Sequence, residues 1–281
     1  MQVAFTLGII SQASRCGGQC ANVFRFVENM MEFQKAFTGT IPVDAFVVPH
    51  PLEEKRCAME QFDRLTVIDH PLVSHKIALI RDKNTPASVF RTSIRELTYL
   101  EAFEATKHLK TREITVETPL ATTTGKIISG QEPVIVPILR AGLSMLEGML
   151  EIIPNAAVAH LGMCRNEETR EPMEYYAKMP SFIAERQVII IDPMLATGGS
   201  LKAAIANLRE RGVKDIVAMV LVAAPEGVKA VLEADPEVRL FTCALDEGLN
   251  DRAYILPGLG DAGDRIYQTF DTPAEGSRVT Q

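Results

Sequence analysis

One short segment constrains the fold of this chain more than any other. It consists of an apolar run, an acidic residue, a loop with one threonine and two glycines, and the start of a helical pattern: residues 188–200, VIIIDPMLATGGS. This order predicts a strand, a loop and a helix of an α/β protein. The unpaired N–H groups of such a loop and of the first helical turn, together with the helix dipole, form an anion site. We therefore predict a phosphate cradle here.

The loop differs from two familiar nucleotide-binding motifs. A Walker loop needs Lys-Ser or Lys-Thr after its second glycine, and a dinucleotide fingerprint needs GxGxxG spacing; this loop has neither. Asp192 at the strand tip is suited to binding ribose hydroxyls, while Thr197, Gly198 and Gly199 suit a monophosphate, so a ribose 5-phosphate fits both parts. The simpler alternative is an ordinary strand-loop-helix turn in which Ser200 caps the helix.

Apolar strand-like runs alternate with helical patterns through the rest of the chain, which is typical of a parallel α/β sheet. The predicted strands are residues 134–139, 158–163, 188–191, 216–223 and 238–244. The predicted helices are residues 93–110 (with Leu97, Leu100 and Phe103 at helical spacing), 143–152, 201–211 and 228–234. Because right-handed crossovers bring parallel strand ends to one edge of a sheet, Arg140 and Asp192 should lie near each other.

Composition and charge exclude several classes of protein. With 281 residues, 47% of them hydrophobic and 23% charged, the chain has the composition of a soluble globular protein with a sizeable core. A formal net charge of −7 argues against a broad basic surface for nucleic acid. The longest strongly apolar stretch, around residues 216–224, has the length of a buried strand and is too short for a membrane span.

The cysteines show no disulfide framework. They lie at positions 16, 20, 57, 164 and 243, and their spacing predicts free thiols in a reducing compartment, here the cytoplasm. Cys16 and Cys20 have the spacing of two metal ligands, but no further His or Cys pair follows at a zinc-like interval before Cys57.

The N-terminal segment has little periodicity. We divide the chain into residues 1–58 and 59–281 and interpret the first part as a poorly ordered extension or as the result of a start placed too early, since Met59 follows it directly. The apolar residues 3–10 lack a preceding charge and are too short for a good secretory signal.

Residues 188–200 resemble the phosphoribosyl-diphosphate (PRPP) motif of type I phosphoribosyltransferases, in the form of the uracil phosphoribosyltransferase family. Between about residues 70 and 270, four further blocks resemble that family in the same order: VPILRAGL (136–143), GMCRNEET (162–169), VAAPEG (222–227) and PGLGDAGDR (257–265). The resemblance implies a type I phosphoribosyltransferase fold, with a central, mainly parallel sheet flanked by helices, a flap and a C-terminal base-binding loop. It also implies transfer of the phosphoribosyl group of PRPP to N1 of uracil, which yields UMP and diphosphate in pyrimidine salvage.

The same resemblance implies the site residues. Those expected to bind PRPP are Arg140, Arg165, Asp192, Pro193, Met194, Leu195, Ala196, Thr197, Gly198, Gly199, Ser200 and Asp261. Those expected to bind uracil are Ile255, Gly260, Asp261 and Ala262, the last three through their backbone.

Arg140 and Asp192 are the expected catalytic residues. By the resemblance Arg140 contacts the diphosphate, and a guanidinium can clamp its oxygens in a bidentate way. Asp192 would hold the ribose hydroxyls and offset the positive charge that develops on the ribose ring. Pro193 stands where related enzymes for other bases often carry a second acid, so the motif has no obvious general base. The polar residues 165–178 are either a solvated hairpin or loop, or, as the resemblance implies, a mobile flap from which Arg165 reaches PRPP.

The resemblance implies Mg²⁺ as a cofactor, held mostly by substrate oxygens and water, with no protein ligand set. It suggests a homodimer or homotetramer and activation by GTP, with no nucleic-acid or membrane partner. Three alternatives are a regulatory protein on this fold that senses UMP and binds mRNA, a transferase for another base such as a purine, and a non-catalytic nucleotide-binding relative. The net acidity disfavours the first, the uracil-like loop at 257–265 the second, and the joint presence of Arg140, Arg165, Asp192 and Asp261 the third.

Overall fold

The computed structural model describes residues 62–165 and 172–270, without the side chains of residues 163–165, 172 and 173. The prediction for residues 1–58 and the thiols of Cys16, Cys20, Cys57 and Cys164 lie outside this description.

Strands and helices alternate along most of the described chain. The strands are β1 (Leu65–Val67), β2 (Thr111–Glu117), β3 (Thr122–Ile128), β4 (Val134–Leu139), β5 (Ala157–Val158), β6 (His160–Arg165), β7 (Pro172–Lys178), β8 (Val188–Ile191), β9 (Met194–Leu195), β10 (Ile216–Ala223), β11 (Arg239–Leu245), β12 (Gly248–Leu249) and β13 (Ile255–Leu256). The α-helices are α1 (Pro71–Arg81), α2 (Ala87–Ala105), α3 (Leu143–Ile152), α4 (Gly199–Glu210), α5 (Pro225–Ala234) and α6 (Ala262–Tyr267), and two 3₁₀ turns cover Thr106–His108 and Ile183–Glu185.

A central sheet organises these elements. Its strand order is β1-β11-β10-β8-β4-β6-β7, with β5 beside β4 and β9 beside β10. All neighbouring pairs in this order are parallel except β6 and β7, which form an antiparallel hairpin. Every residue of β8 and β10 is buried, which explains why these strands are continuous apolar runs without polar alternation.

The core lies on both faces of the sheet. Helices α1, α2, α3 and α6 cover one face, and α4 and α5 cover the other. Strand β8 shows the alternation directly: Ile189 and Ile191 pack with the first group of helices, while Val188 and Ile190 pack with the second. Burial on both faces places the usable surface of the sheet at its strand ends.

The predicted elements agree with the observed ones, and the differences lie mainly at their ends. Strands 134–139, 188–191 and 216–223 and helix 143–152 are confirmed, whereas the predicted strand 158–163 is divided into β5 and β6. Helices α4 and α5 begin earlier than predicted because Gly199 and Pro225 occupy their first turns, where a helix tolerates both residue types.

The predicted helix 93–110 differs most from the observed one. Helix α2 begins six residues earlier, at Ala87, and ends at Ala105, where the first 3₁₀ turn leads into β2. Leu97 is fully buried as expected, but Phe103 is 68% exposed, because it lies on the outer face of the helix, whereas Ala102 and Ala105 beside it are fully buried.

The β2–β3 hairpin was not predicted. It forms a separate two-stranded antiparallel sheet in which Thr111 pairs with Ile128, and most of its side chains are exposed. Leu120 at its turn is 97% exposed. Within the described part of the chain, no helix is long and apolar enough to cross a membrane.

Candidate active site

The ends of two neighbouring strands bring Arg140 and Asp192 to the same edge of the sheet. Strands β4 and β8 are parallel neighbours, with Pro137 opposite Ile191, and each predicted residue directly follows its strand. A Cβ atom added to Gly142 would lie 2.5 Å from the carbonyl oxygen of Ile191, so a glycine is needed where the chain turns into α3. The sheet therefore brings together the strand ends expected to supply the diphosphate and ribose contacts.

The loop after Asp192 has the predicted strand-loop-helix order, and its role as a phosphate cradle stays a prediction. Strand β9 continues briefly beside β10, and α4 then begins at Gly199. Gly198 is the N-cap residue, with a φ of 80° that favours glycine. Ser200 lies inside the helix, so its alternative role as the cap is wrong. As a glycine, Gly198 has no side chain to cap α4, and the N–H groups of a first helical turn are suited to binding an anion.

Two glycines fit this cradle against α5. A Cβ atom on Gly198 would approach the carbonyl oxygen of Gly227 to 3.0 Å, and one on Gly227 would lie 2.2 Å from the carbonyl oxygen of Ala196. The block at 222–227 therefore has a structural role, because Gly227 lets the first turn of α5 pack closely against the loop.

The Asp192 carboxyl group has an altered acidity. It is half-buried, and this loss of hydration raises its pKa to about 7, although a hydrogen bond from the backbone of Met194 lowers it in part. Its own backbone N–H donates to the carbonyl oxygen of Met219 at 3.2 Å. The group therefore titrates near neutral pH, where small changes in its surroundings alter its charge.

Arg140 is exposed, and Tyr267 of α6 holds it from the C-terminal side. The Tyr267 hydroxyl donates a hydrogen bond to the Arg140 carbonyl oxygen at 3.0 Å, and the Arg140 guanidinium lies 5.9 Å from the centre of the tyrosine ring. Burial raises the Tyr267 pKa, and the charge of Arg140 partly opposes that rise. Tyr267 was not among the predicted site residues, although it follows the PGLGDAGDR block by two positions.

A largely buried ion pair holds the loop that follows β13. The Arg81 guanidinium bonds both carboxylate oxygens of Asp246, whose side chain is 4% exposed. Asp246 also accepts a hydrogen bond from the backbone N–H of Gly258 at 2.9 Å, and Arg81 donates to the Gly258 carbonyl oxygen at 2.7 Å. Both polar backbone groups of Gly258 are thus bound by one bidentate pair. Neither Arg81 nor Asp246 was predicted.

Arg265 braces the other side of this loop. Its guanidinium donates to the carbonyl oxygens of Leu259 at 2.8 Å and Asp82 at 2.6 Å, and to that of Ile80. It also lies 4.2 Å from the centre of the Phe90 ring. Partial burial lowers the Arg265 pKa. The final arginine of the PGLGDAGDR block therefore joins the loop to α1 and α2.

The expected uracil residues differ in exposure. Ile255 and Ala262 are 5% and 4% exposed and belong to the core, so their side chains support the site. Gly260 is exposed, has a φ of 82°, and would place an added Cβ in open space. The Asp261 side chain is exposed and accepts a hydrogen bond from the backbone N–H of Asp264 at 2.9 Å, which caps α6. The open backbone around Gly260 is the part free to contact a base.

The polar segment at 165–178 contains a hairpin. Arg165 ends β6, opposite Pro172 of β7, and its side chain lies outside the described residues. A Cβ atom on Gly162 would lie 2.5 Å from the ring of Tyr175, so the glycine lets this ring cover β6. The hairpin agrees with the solvated alternative, and the role of Arg165 stays a prediction.

No group of three or more His, Cys, Asp or Glu side chains among the described residues can hold a metal ion. Single carboxylates are present at Asp192 and Asp261. Mg²⁺ commonly enters phosphate sites on substrate oxygens with only one or two carboxylates nearby, and this donor set fits that arrangement.

Similarity to known proteins extends over the whole described domain. Residues 67–269 match the profile of the family "Uracil phosphoribosyltransferase". Proteins of that name from Alkaliphilus oremlandii and Caldanaerobacter subterraneus subsp. tengcongensis are 52% and 53% identical over 206 and 208 residues, which is 73% and 74% of this chain and 99% of each relative.

A solved structure agrees with this assignment. The structure of the AQ2163 protein from Aquifex aeolicus superimposes with a TM-score of 0.70 at 41% identity, covering 74% of this chain and 100% of that one. The strand order, the cradle after β8 and the match over residues 67–269 lead to one conclusion. The chain belongs to the uracil phosphoribosyltransferase family and has the type I phosphoribosyltransferase fold.

Proposed function

We propose that this protein is a pentosyltransferase that transfers the 5-phosphoribosyl group of PRPP to N1 of uracil, yielding UMP and diphosphate in pyrimidine salvage. One observation carries the proposal: Asp192 stands at the tip of β8 directly before a glycine-rich loop and the start of α4 at Gly199, within a chain matched to the family over residues 67–269. A ribose 5-phosphate needs this combination of a hydroxyl acceptor and an anion cradle.

The PRPP half of the proposed site works by charge and orientation. N–H groups at the start of α4 would hold the 5-phosphate, Asp192 would hold the ribose hydroxyls, and Arg140 would clamp the diphosphate. The bond from C1 to the diphosphate oxygen breaks, the bond to N1 forms, and the N1 proton passes to the departing diphosphate or to water. Positive charge develops on the ribose ring in this step, and the Asp192 carboxylate offsets it. Pro193 leaves this motif with a single acid, so we attribute catalysis to positioning and electrostatics.

The uracil half works through backbone groups. Uracil presents alternating carbonyl acceptors and N–H donors at its edge, which the exposed backbone from Gly260 to Ala262 can match. Cytosine carries an amino group in place of O4 and would leave a donor in the site unpaired, so it is discriminated against.

When bound, Mg²⁺ would supply positive charge to the diphosphate leaving group. It would be held mainly by PRPP oxygens and water, with Asp192 and Asp261 as candidate carboxylates. Arg140 then contributes the fixed positive charge on the protein side.

Self-association is supported by the β2–β3 hairpin. Isolated two-stranded hairpins are marginally stable in water, yet this one exposes Leu120, Ile127 and Ile128, with fractions of 97%, 38% and 37%. We expect a homodimer or homotetramer in which a second copy covers these side chains. Light scattering on wild type and Leu120→Asp tests this, and a monomeric wild-type protein would contradict it.

GTP activation and a cytoplasmic location rest on the family resemblance. The buried free thiol of Cys243 also suits a reducing compartment. Initial rates measured with and without GTP test the first expectation.

The decisive test of the activity is UMP formation from uracil, PRPP and Mg²⁺, with cytosine, hypoxanthine and adenine in parallel. We expect product from uracil alone. Failure of all four bases, combined with retained UMP binding, would instead support a nucleotide-sensing regulator.

A further inference from the structure

An acidic side chain lies in the centre of the core, outside every family motif. Glu101 of α2 is 0% exposed, as are Thr98 and Ala102 on the same helix. Moving a carboxyl group out of water costs free energy unless the protein supplies hydrogen bonds in return. The contacts of Glu101 therefore indicate what this buried acid does.

The two carboxyl oxygens of Glu101 have different surroundings. Oε1 accepts a hydrogen bond from the backbone N–H of Val220 at 3.0 Å. Oε2 is buried, and no described residue provides a hydrogen bond to it. Burial raises the Glu101 pKa well above its ordinary value, which the Val220 bond opposes in part. The nearby thiol of Cys243 likewise has a pKa raised by its own burial and by Glu101.

The N–H group that Glu101 binds belongs to the same peptide unit as the carbonyl group that binds Asp192. Val220 contributes the N–H of that unit, and Met219 contributes its C=O, which accepts the backbone N–H of Asp192 at 3.2 Å. Glu101 and Asp192 thus hold opposite ends of one peptide group. Hydrogen bonds linked through a shared peptide polarise and strengthen one another.

Asp192 depends on this peptide because the ladder beyond it is irregular. Pro193 has no N–H to donate, and its carbonyl oxygen accepts from both Leu221 at 3.2 Å and Val222 at 3.1 Å. The regular pairing of β8 with β10 ends at Ile191, opposite Met219. The bond from Asp192 to Met219 is therefore the last of the β8–β10 ladder, and regular pairing resumes only where Met194 of β9 lies opposite Val222.

We propose that Glu101 is a positioning residue for Asp192, which fixes the Met219–Val220 peptide from the core side and thereby sets where the Asp192 carboxylate meets the ribose. The kinetic part of this inference rests on the proposed function, because it requires Asp192 to contact PRPP. The structural part does not depend on that function.

Three variants separate this role from simple core filling. Glu101→Met has similar volume but leaves the Val220 N–H without its acceptor, while Glu101→Gln keeps a carbonyl acceptor in nearly the same shape. Thr98→Val is the matched control, since Thr98 is fully buried one turn earlier and its hydroxyl bonds the Ile94 carbonyl oxygen of its own helix at 2.9 Å.

The first readout is hydrogen exchange at the amides of Val220 and Asp192 in the substrate-free protein. We expect Glu101→Met to exchange there about tenfold faster, Glu101→Gln to stay close to wild type and Thr98→Val to change neither amide. Equal exchange in Glu101→Met and Thr98→Val would overturn the proposal. If Glu101→Met does not fold, Glu101→Gln decides, because loss of protection in that variant contradicts the acceptor role.

The second readout is steady-state kinetics at a temperature where every variant is folded. Glu101→Met should lower kcat/KM for PRPP by about tenfold, since small misplacements of a catalytic group cost this much or more, while the uracil KM changes less than about twofold. Equal loss in the two substrate parameters would contradict positioning through Asp192. Changed exchange in a protein with no transferase activity would reject the proposed function and leave the structural role intact.

Discussion

The two halves of the candidate site are built in different ways. The cradle after β8 is contiguous in sequence: Asp192, its loop and the start of α4 are supplied by residues 188–200. The loop after β13, which contains the expected uracil-binding backbone at 260–262 and is called the base loop below, is held by residues far away in the chain. Arg81 bonds Gly258 across 177 positions, and Arg265 bonds Ile80 across 185.

This difference separates local from tertiary control. In the cradle, the shape follows from backbone conformation and from glycines that admit close contacts, such as Gly227 against Ala196. In the base loop, guanidinium and carboxylate groups bind backbone atoms that the local chain leaves unpaired. We therefore expect substitutions in the cradle to alter the kinetic parameters for PRPP selectively. Substitutions of the side chains that hold the base loop, such as Asp246, should alter stability and uracil binding together.

Removing the charge at the cradle should have the largest effect. Asp192→Asn keeps the shape of the side chain but cannot offset positive charge on the ribose, so kcat should fall by about 10²- to 10³-fold with the fold intact. Circular dichroism checks the fold and a UMP assay checks the rate. Unchanged turnover would remove Asp192 from the proposed site.

The pH dependence of kcat/KM for PRPP should report the titration of Asp192. With its pKa raised to about 7, Asp192 loses its charge below neutrality, and kcat/KM for PRPP should fall about tenfold per pH unit there and level off above. The folded protein holds this proton more tightly than the unfolded chain, whose ordinary value is 3.8. The stability from Asp192 is therefore present at low pH and lost as pH rises through about 7. Asp192→Asn should lack that part of the stability profile.

Breaking the ion pair between Arg81 and Asp246 should affect the loop after β13, which is the uracil half of the candidate site. Asp246→Asn leaves the partly buried Arg81 without its carboxylate, and we expect a loss of about 2 kcal/mol in unfolding free energy, below the value for a fully buried pair. The uracil KM should rise by about tenfold and the PRPP KM by less. Asp215→Asn is the control, because its ion pair with Arg239 is exposed and should contribute under about 1 kcal/mol. A rise in the PRPP KM that exceeds the rise in the uracil KM would contradict the division of the site into two separately held halves.

A substitution that crowds the cradle should weaken PRPP binding and leave uracil binding nearly unchanged. A Cβ atom at Gly227 would lie 2.2 Å from the Ala196 carbonyl oxygen, so Gly227→Ala must displace the loop. We expect the PRPP KM to rise by about fivefold while the uracil KM stays within about twofold. Gly130→Ala is the control for crowding: an added Cβ there meets nothing within 4 Å, and its φ of 84° adds a backbone strain that Gly227 does not have, so any effect of this control on KM is an upper limit for strain alone.

The smallest effect is expected where the two halves meet. Tyr267→Phe removes only the hydroxyl that bonds the Arg140 carbonyl oxygen, so the PRPP KM should rise by about two- to threefold, as suits one partly exposed hydrogen bond. Tyr254→Phe is a control with a similarly exposed ring at 49%. A rise in the uracil KM alone would show that Tyr267 belongs to the base loop instead.

The sequence alone determined the local framework of this protein. Strands 134–139, 188–191 and 216–223 followed from short apolar runs and helix 143–152 from a helical pattern, because both kinds of pattern reflect local backbone geometry and burial. The strand-loop-helix order at 188–200 predicted the cradle for the same reason: its glycines and acid lie within one short stretch of chain.

Only the tertiary structure decided how that framework is held in place. Arg81 with Asp246, Tyr267 with Arg140 and Glu101 with Val220 join residues 165, 127 and 119 positions apart. No local pattern marks such pairs, since each residue taken alone fits an ordinary helix or loop. Their roles arise because folding brings an unpaired backbone group and a distant side chain within hydrogen-bond distance, where burial makes the bond necessary.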